Sequence, residues 1–463
     1  EKYSFLSMNL PAFTVMWMTD LKTKKYGVIS LGCDKNRVDS EKLLAIIRDN
    51  GCRICNDIGQ AEVLVVNTCA FLNSARKEAI ETVIDCASYK QNGKLEKLVV
   101  TGCLPQRYVA ETFPALTEAD VFLGINDYDR FFDALQQAYD GQRVNFVGCG
   151  NNSCATDRVI TTPCHYAYLK IADGCNNFCT YCLIPKIRGR YVSYPQEQLI
   201  KEAENLGDIA ELILVAQDVT RYGEDLYGKR SLVSLIRKLT ALENIGSVRL
   251  LYCYPDAIDD ELIAEICDNP KVIKYIDIPL QHSEDRILKL MNRKGSRAGY
   301  LSLIAKLKEQ VPGIAVRSTF ISGFPGETEE EYEALCTFLD EAGLANCGFF
   351  AYSREPDTAA YKMKGQIAQS VKNRRVKNLY RVQSDVSRAF LNGFAGKTVK
   401  VLCDGIDYDN GCFVGRAYFQ APDIDGKVYF NCHDAVQGRY YDVLITHSGD
   451  YDLYGRTPDY TEE

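Results

Sequence analysis

The chain has 463 residues, 46% of them hydrophobic and 25% charged, with a formal net charge of -8. At roughly 100–200 residues per domain this predicts two to four domains with ample core, which excludes a small disulfide-stapled module. Interspersed charges and an ordinary apolar fraction exclude disorder, and the acidic balance argues against broad nucleic-acid binding. Nineteen cysteines is the unusual number. An odd count cannot all pair and no secretory signal precedes them, which favours a reducing, cytoplasmic setting with thiolate or metal chemistry. No apolar run is long enough for a helix to span a bilayer, so no membrane partner is expected.

Residues 1–23 read as an upstream extension outside the fold, with Met18 a candidate start. From Lys24, β-branched runs at 26–31, 62–66 and 97–101 alternate with helical patterns at 39–50, at 73–90 and near Gln106 and Asp127. That order predicts a parallel α/β domain over 24–144. A turn-rich stretch, 145–163, reads as a linker. A second series over 164–390 has expected strands at 167–171, 209–215, 247–251, 275–278, 315–321 and 347–351, with a polar helix at 371–390. Six βα-like units predict a partial (β/α)6 TIM-type barrel. Over 391–463 short alternating strands and Gly/Asp turns predict a small antiparallel β-barrel of OB-like type.

Cys175, Cys179 and Cys182 form a C-x3-C-x2-C run, CNNFCTYC, just beyond the first expected barrel strand. Three close thiolates suit an iron-sulfur cluster with one iron left open for a ligand, and the carboxyl end of a barrel strand is the catalytic mouth. Zinc is the competing reading, with Cys164 and His165 the nearest further ligands. Cys33, Cys69 and Cys103 follow the first, second and third strands in the contexts SLGC, VNTC and VTGC. Ligands of open parallel sheets gather beyond strand carboxyl ends, so these distant thiols are expected to converge on a second metal site. Cys52 and Cys55 lack a redox context, and GFPGET reads as a strand-to-helix turn with a cap rather than a phosphate loop.

With both triplets present, the chain from about Lys24 to Tyr460 resembles the radical methylthiotransferases, which order a methylthiotransferase domain, a radical S-adenosylmethionine barrel and a TRAM domain. SLGCDKNRVDSE, VNTCAFLNSARKEAI, VTGCLPQRY, VAQDVTRYG, IPLQHSEDRIL and FISGFPGETEEEYE resemble the branch that modifies an aspartate of small-subunit ribosomal protein twelve. Asp34 departs from that branch, which commonly carries proline there. The resemblance implies two 4Fe-4S clusters and S-adenosylmethionine. The cluster on Cys175, Cys179 and Cys182 would generate an adenosyl radical that takes hydrogen from the aspartate β-carbon. The cluster on Cys33, Cys69 and Cys103 would deliver the methylsulfur group. Tyr181 matches the residue that touches the adenine, and Gln217, Gln281 and Arg317 are expected at strand ends orienting the cofactor, Arg317 facing its carboxylate. A reduced electron donor and a sulfur donor are implied partners.

Charge supports the same branch. Residues 391–463 hold six basic and twelve acidic residues, a local net charge of -6. Such a module repels RNA, where phosphate neutralisation supplies most affinity, and attracts a basic ribosomal protein. A tRNA-modifying enzyme and an iron-sulfur carrier without radical chemistry are the alternative classes; no tRNA partner is expected.

Overall fold

In the computed structural model, which describes residues 21–148 and 157–461, the chain divides into a first unit ending at Thr161 and a second beginning at Thr162. The first unit is built on six strands: β1 (Lys25–Ser30), β2 (Arg53–Ile54), β3 (Val63–Thr68), β4 (Lys97–Gly102), β5 (Val121–Phe122) and β6 (Val144–Asn145). All pair in parallel, in the order β2-β1-β3-β4-β5-β6. The central strand β3, VLVVNT, is wholly buried, as expected of a sheet covered on both faces. Helices α1 (Asp34–Asp49), α2 (Asn73–Ala87), α3 (Cys103–Ala115) and α4 (Phe131–Tyr139) supply the cover.

Four details differ from the expectation. β2, β5 and β6 are two-residue strands, too short to carry a period. Helix α1 begins at Asp34 rather than 39, because extended Cys33 caps it and Asp34 suits the positive end of its dipole. Asp34 accepts from the Lys35 backbone N–H at 2.9 Å and pairs with its Nζ at 3.0 Å, so this residue fits a helical first turn. The extension expected through residue 23 is corrected at its end: Leu21 is buried in the first unit's core, where its carbonyl accepts from the Tyr26 hydroxyl at 3.0 Å. Residues 1–20 lie outside the described residues. Of the expected linker, Asn145 belongs to β6, while Arg158 and Thr161 bond the Glu41 carboxylate at 3.2 and 2.8 Å.

The second unit carries β7 (Tyr166–Lys170), the small ribbon β8 (Ala172–Asp173) and β9 (Val192–Ser193), then β10 (Glu211–Val215), β11 (Val248–Leu250), β12 (Val272–Gln281), β13 (Ala315–Ser322) and β14 (Asn346–Ala351). Six of these form a parallel sheet in the order β14-β13-β12-β11-β10-β7, an open (β/α)6 barrel with helices packed outside. A long helix, Gln369–Asn392, leads to a closed barrel of β15 (Thr398–Asp407), β16 (Cys412–Ala417), β17 (Val428–Asn431), β18 (Tyr440–Ser448) and β19 (Leu453–Arg456). Its pairs are antiparallel except β17 with β19, which run parallel and close it.

This terminal barrel seats on the amino ends of the parallel strands. Arg416 of β16 pairs with Glu211, the first residue of β10, at 2.6 Å, and Glu211 also pairs with Arg249. Asp404 pairs with Arg416 at 2.8 Å and meets His165 Nε2 at 2.8 Å. Asp425 accepts from the Tyr275 hydroxyl at 2.7 Å. Burial alone would raise the Glu211 carboxyl, but Arg249 and Arg416 more than offset it and hold it below its ordinary value. With the amino ends occupied, the carboxyl ends of the same strands are left to carry the cysteine loop.

Candidate active site

In the first unit the strand ends are in register: Ser30 lies beside Asn67, Asn67 beside Thr101, and Thr68 beside Gly102. Cys33 caps α1, Cys69 directly follows β3, and Cys103 opens α3, so all three thiols sit beyond the carboxyl ends of three neighbouring strands. Cys33 is exposed, Cys69 half-buried and Cys103 buried. A Cβ on Gly32 would stand 2.6 Å from Cys69 Cβ and 3.1 Å from its Sγ; the loop bearing Cys33 can approach Cys69 only because residue 32 has no side chain.

Asn36 stitches these loops together. Fully buried, it donates from Nδ2 to the Leu31 and Thr68 carbonyls, both at 3.0 Å, and its Oδ1 lies 3.9 Å from Cys103 Sγ. Asn67 donates to the Asn36 carbonyl and Ser40 Oγ, each at 2.9 Å. Its Oδ1 is buried without a partner and faces Gly102, whose φ of 94° a side chain would resist. Neither asparagine was singled out from sequence, although both stand inside the SLGCDKNRVDSE and VNTC motifs.

In the second unit, Cys175, Cys179 and Cys182 lie on one loop after β7 and β8. Each sulfur accepts a hydrogen bond: from Asn177 N to Cys175 at 3.4 Å, from Ile184 N to Cys182 at 3.4 Å, and from the Arg293 guanidinium to Cys179 at 3.8 Å. N–H donors aimed at sulfur are the outer contacts that stabilise and tune cluster thiolates. The loop is laced in place by Thr180 N to the Met291 carbonyl at 3.0 Å, Ala360 N to the Thr180 carbonyl at 2.8 Å, and Asn292 Nδ2 to the Phe178 carbonyl at 3.0 Å. Burial pushes the Cys175 thiol up to about 11, and burial, then neighbouring Cys179, raises Cys182 further. Among the described residues no three His, Cys, Asp or Glu side chains gather as ligands of one metal ion; the thiols of a four-iron cluster stand at separate corners and need no such convergence.

Around this loop a cavity of about 740 Å³ opens at the mouth of the sheet, lined by Asn177, Tyr191, Arg221, Tyr254, Asp285 and Arg293 among others. Gln217, just past β10, donates to Asp173 at 3.1 Å and keeps a buried Oε1 without a partner. Burial would raise Asp173, but Arg188 and Lys170 hold its carboxyl well below the usual range. Asp218, buried, accepts from Asn177 Nδ2 at 3.0 Å, and burial lifts its carboxyl above the ordinary value. Gln281 ends β12 with φ 73°, a strained conformation for a non-glycine residue at a register shift. Behind it His282 is wholly buried: its Nδ1 accepts from Glu284 N at 3.0 Å and its Nε2 meets Glu327 at 3.1 Å.

One expected placement is corrected. Arg317 is the third residue of β13, not its end, and its guanidinium is taken by Asp277 at 2.8 Å and Asp425 at 3.3 Å, at the seat of the terminal barrel. Strand polarity decides this: the mouth lies at Ser322. Tyr181 packs against the Ile287, Met291, Phe324 and Tyr352 cluster, beside Cys179 and Arg293. Arg293, which lines the mouth cavity, is buried over the Tyr254 ring at 4.3 Å and was not anticipated, since nothing in MNRKGS marks it.

Residues 25–124 match the uncharacterized protein family UPF0004, 169–339 the Radical SAM superfamily and 395–457 the TRAM domain. Among solved structures, the radical S-adenosylmethionine methyltransferase TsrM from Kitasatospora setae aligns with a TM-score of 0.54 over 73% of this chain and 77% of that one; at 14% identity the likeness is one of fold alone. Fold and matches together define a radical S-adenosylmethionine transferase, a class that works with an iron-sulfur cluster and S-adenosylmethionine. The ribosomal protein uS12 methylthiotransferase RimO of Lachnoclostridium phytofermentans is 43% identical over 436 residues, 92% of this chain and 98% of the relative. That of Clostridium botulinum strain Eklund 17B is 44% identical over 443 residues, 94% and 98% of the two chains. The chain belongs to this RimO family. No helix among the described residues is long and apolar enough to cross a membrane.

Proposed function

We propose that the protein methylthiolates the β-carbon of an aspartate of ribosomal protein uS12, using two 4Fe-4S clusters. Cys175, Cys179 and Cys182 hold one and Cys33, Cys69 and Cys103 the other, with residues 24–144, 164–390 and 391–463 as the functional parts and 145–163 joining the first two. Bound in the loop of the second unit, an iron-sulfur cluster with an open iron supplies the electron that cleaves S-adenosylmethionine to an adenosyl radical. The chain's own part is positional. Asn177, Ile184 and Arg293 direct N–H groups at the three sulfurs. Gln217, with one oxygen unengaged, and Gln281, at the end of β12, orient the methionine moiety. Cys33, Cys69 and Cys103 would hold the second cluster, which would supply the sulfur for methylation and transfer, replenished by a sulfur donor.

The observation that carries the reading is the first-unit triplet: three thiols at the aligned ends of adjacent parallel strands, in a chain of this family, in addition to the loop triplet of the barrel. The acidic terminal barrel supports uS12 as its partner. Of the ten carboxylates among its described residues, eight stay outside the seat that takes Asp404 and Asp425, and a basic protein would be drawn to them. Mass spectrometry of small-subunit proteins with and without the gene tests the reading. The methylthio increment on the uS12 aspartate is expected only when the gene is present; an increment lost from tRNA instead would overturn it.

A further inference from the structure

Six basic against twelve acidic residues over 391–463 predict repulsion of RNA, but the fold does not spread that charge evenly. A groove of about 670 Å³ runs along the seam where the terminal barrel meets the amino ends of the parallel strands, at the end of the sheet opposite the cysteine loop. One wall is the outer face of β15 and β18, with Thr398, Lys400 and Tyr440. The other is made by the turns that lead into β11 and β12, with Ser247, Asn269 and Lys274.

Three of those six basic residues, Lys397, Lys400 and Arg416, line this groove, and Arg249 and Lys274 line it from the sheet. Glu211 is the one carboxylate among the lining residues, and it is already shared by Arg249 and Arg416. Lys274, Lys397 and Lys400 have no carboxylate partner among the described residues; Asp442 stands opposite Lys400 in the β15–β18 register yet forms no ion pair with it. Beside the groove, Lys271 directs its Nζ to the Leu242 and Ile245 carbonyls at 2.9 and 2.8 Å, so its charge too stays uncompensated. The same walls carry rings: Tyr440 at 45% exposure, with Tyr418 and Phe394 half-buried. Uncompensated cations along a groove that also shows aromatic faces suit a single-stranded nucleic acid, lysines meeting phosphates and rings meeting bases.

We propose that this groove binds the phosphate backbone of a ribosomal RNA strand, so that the enzyme takes uS12 within the RNA-bearing small subunit rather than as the free protein. The inference rests on the uS12 reading above. A particle rich in phosphate repels an acidic enzyme wherever carboxylates face it. The groove gives the enzyme a cationic face to turn toward the RNA, while the outward carboxylates of the terminal barrel meet the basic protein. Lysine suits the task, because an exposed point charge neutralises phosphate without reading sequence. RNA held at the amino ends of the strands also leaves their carboxyl ends, where the cysteine loop sits, open to the target side chain.

The test uses the full-length enzyme, its Lys274→Gln/Lys397→Gln/Lys400→Gln variant and the charge-preserving Lys274→Arg/Lys397→Arg/Lys400→Arg variant. Binding of a short labelled oligouridylate, read by fluorescence anisotropy, needs neither cluster nor turnover. Wild-type affinity is expected to fall about twentyfold between about 50 and about 200 mM salt, the dependence of three phosphate contacts on a single strand. At the lower salt the glutamine variant should bind on the order of tenfold more weakly and lose most of that dependence, while the arginine variant keeps both. In anaerobic turnover by reconstituted enzyme, the glutamine variant should raise KM for assembled small subunits and leave KM for isolated uS12 unchanged. Equal RNA affinity of wild type and glutamine variant would overturn the groove's assignment. So would displacement of the strand by inorganic triphosphate at equal concentration, which marks a small-anion site, or an equal rise in KM for isolated uS12, which marks a protein surface. RNA binding through these lysines by a wild-type enzyme that leaves uS12 unmodified in both forms would sink the uS12 reading and not the RNA site, which separates the two failures.

Discussion

The two cysteine triplets reach similar ends by opposite routes. Cys175, Cys179 and Cys182 are neighbours in the chain, and backbone N–H groups one turn away already serve two of the sulfurs. Cys33, Cys69 and Cys103 share one end of the sheet only because β1, β3 and β4 are adjacent, parallel and in register, and Asn36 clasps the loops beyond them. A loop site is therefore governed by local sequence and by a few lacing bonds. A strand-end site is governed by the sheet, and a change far from any thiol can dismantle it.

The sharpest test of that comparison is removal of the thiols themselves. Cys179→Ala is expected to abolish deoxyadenosine formation, whereas Cys69→Ala should retain it and abolish only methylthio insertion. Iron analysis should drop from about eight to about four per chain in either case. Next in size is the platform under the loop site. Glu211→Gln leaves Arg249 and Arg416 short of a buried counter-charge, and breaking such a buried pair costs about 3–5 kcal/mol, read by urea unfolding of the second unit. If the loop site is as local as its bonds indicate, the folded fraction of this variant keeps its iron.

Asn36→Ala should cost about 1–3 kcal/mol by stranding the buried Leu31 and Thr68 carbonyls. It should also lose iron from the first unit while the radical site stays loaded; equal loss from both sites would break the comparison. Asn292→Ala removes two exposed lacing bonds to the loop, at Asn177 and Phe178, so about 0.5–1.5 kcal/mol is expected, with iron retained.

The smallest effect is a pH dependence of the terminal barrel's seating. Burial alone would raise buried Glu211 and half-buried Asp404, yet Arg249 and Arg416 hold Glu211, and His165 and Arg416 hold Asp404, below their ordinary values of 4.5 and 3.8. Carboxyls depressed on folding contribute stability that is present above those ordinary values and lost as pH falls through the lower folded ones. Thermal unfolding should therefore weaken progressively below about pH 4, and the Glu211→Gln variant should show a shallower acid slope.

Much of the architecture was legible because its signals are periodic. The six barrel strands, the β3 run VLVVNT and the alternating strands β15 to β18 all carry β-branched patterns that survive without neighbours. Elements that escaped have no period to read. β2, β5 and β6 are two residues each, and β19, LYGR, is called into the barrel only by its parallel pairing with β17. Among side chains, Gln217 falls just past a strand end, as expected, because strand ends can be counted. Arg317 does not reach one, because it is the third residue of β13, at the amino end where Asp277 and Asp425 take its guanidinium.

From sequence alone came the thiol spacing of the loop, the succession of three parts and the concentration of acid in the last of them, all properties of residues counted along one dimension. Tertiary structure decided which strand ends are neighbours and which carboxylates of the acidic tail turn inward to Arg416 and Arg317. Those are relations between residues remote in the chain, brought within a few ångströms by burial of the sheets; no spacing in the sequence encodes them.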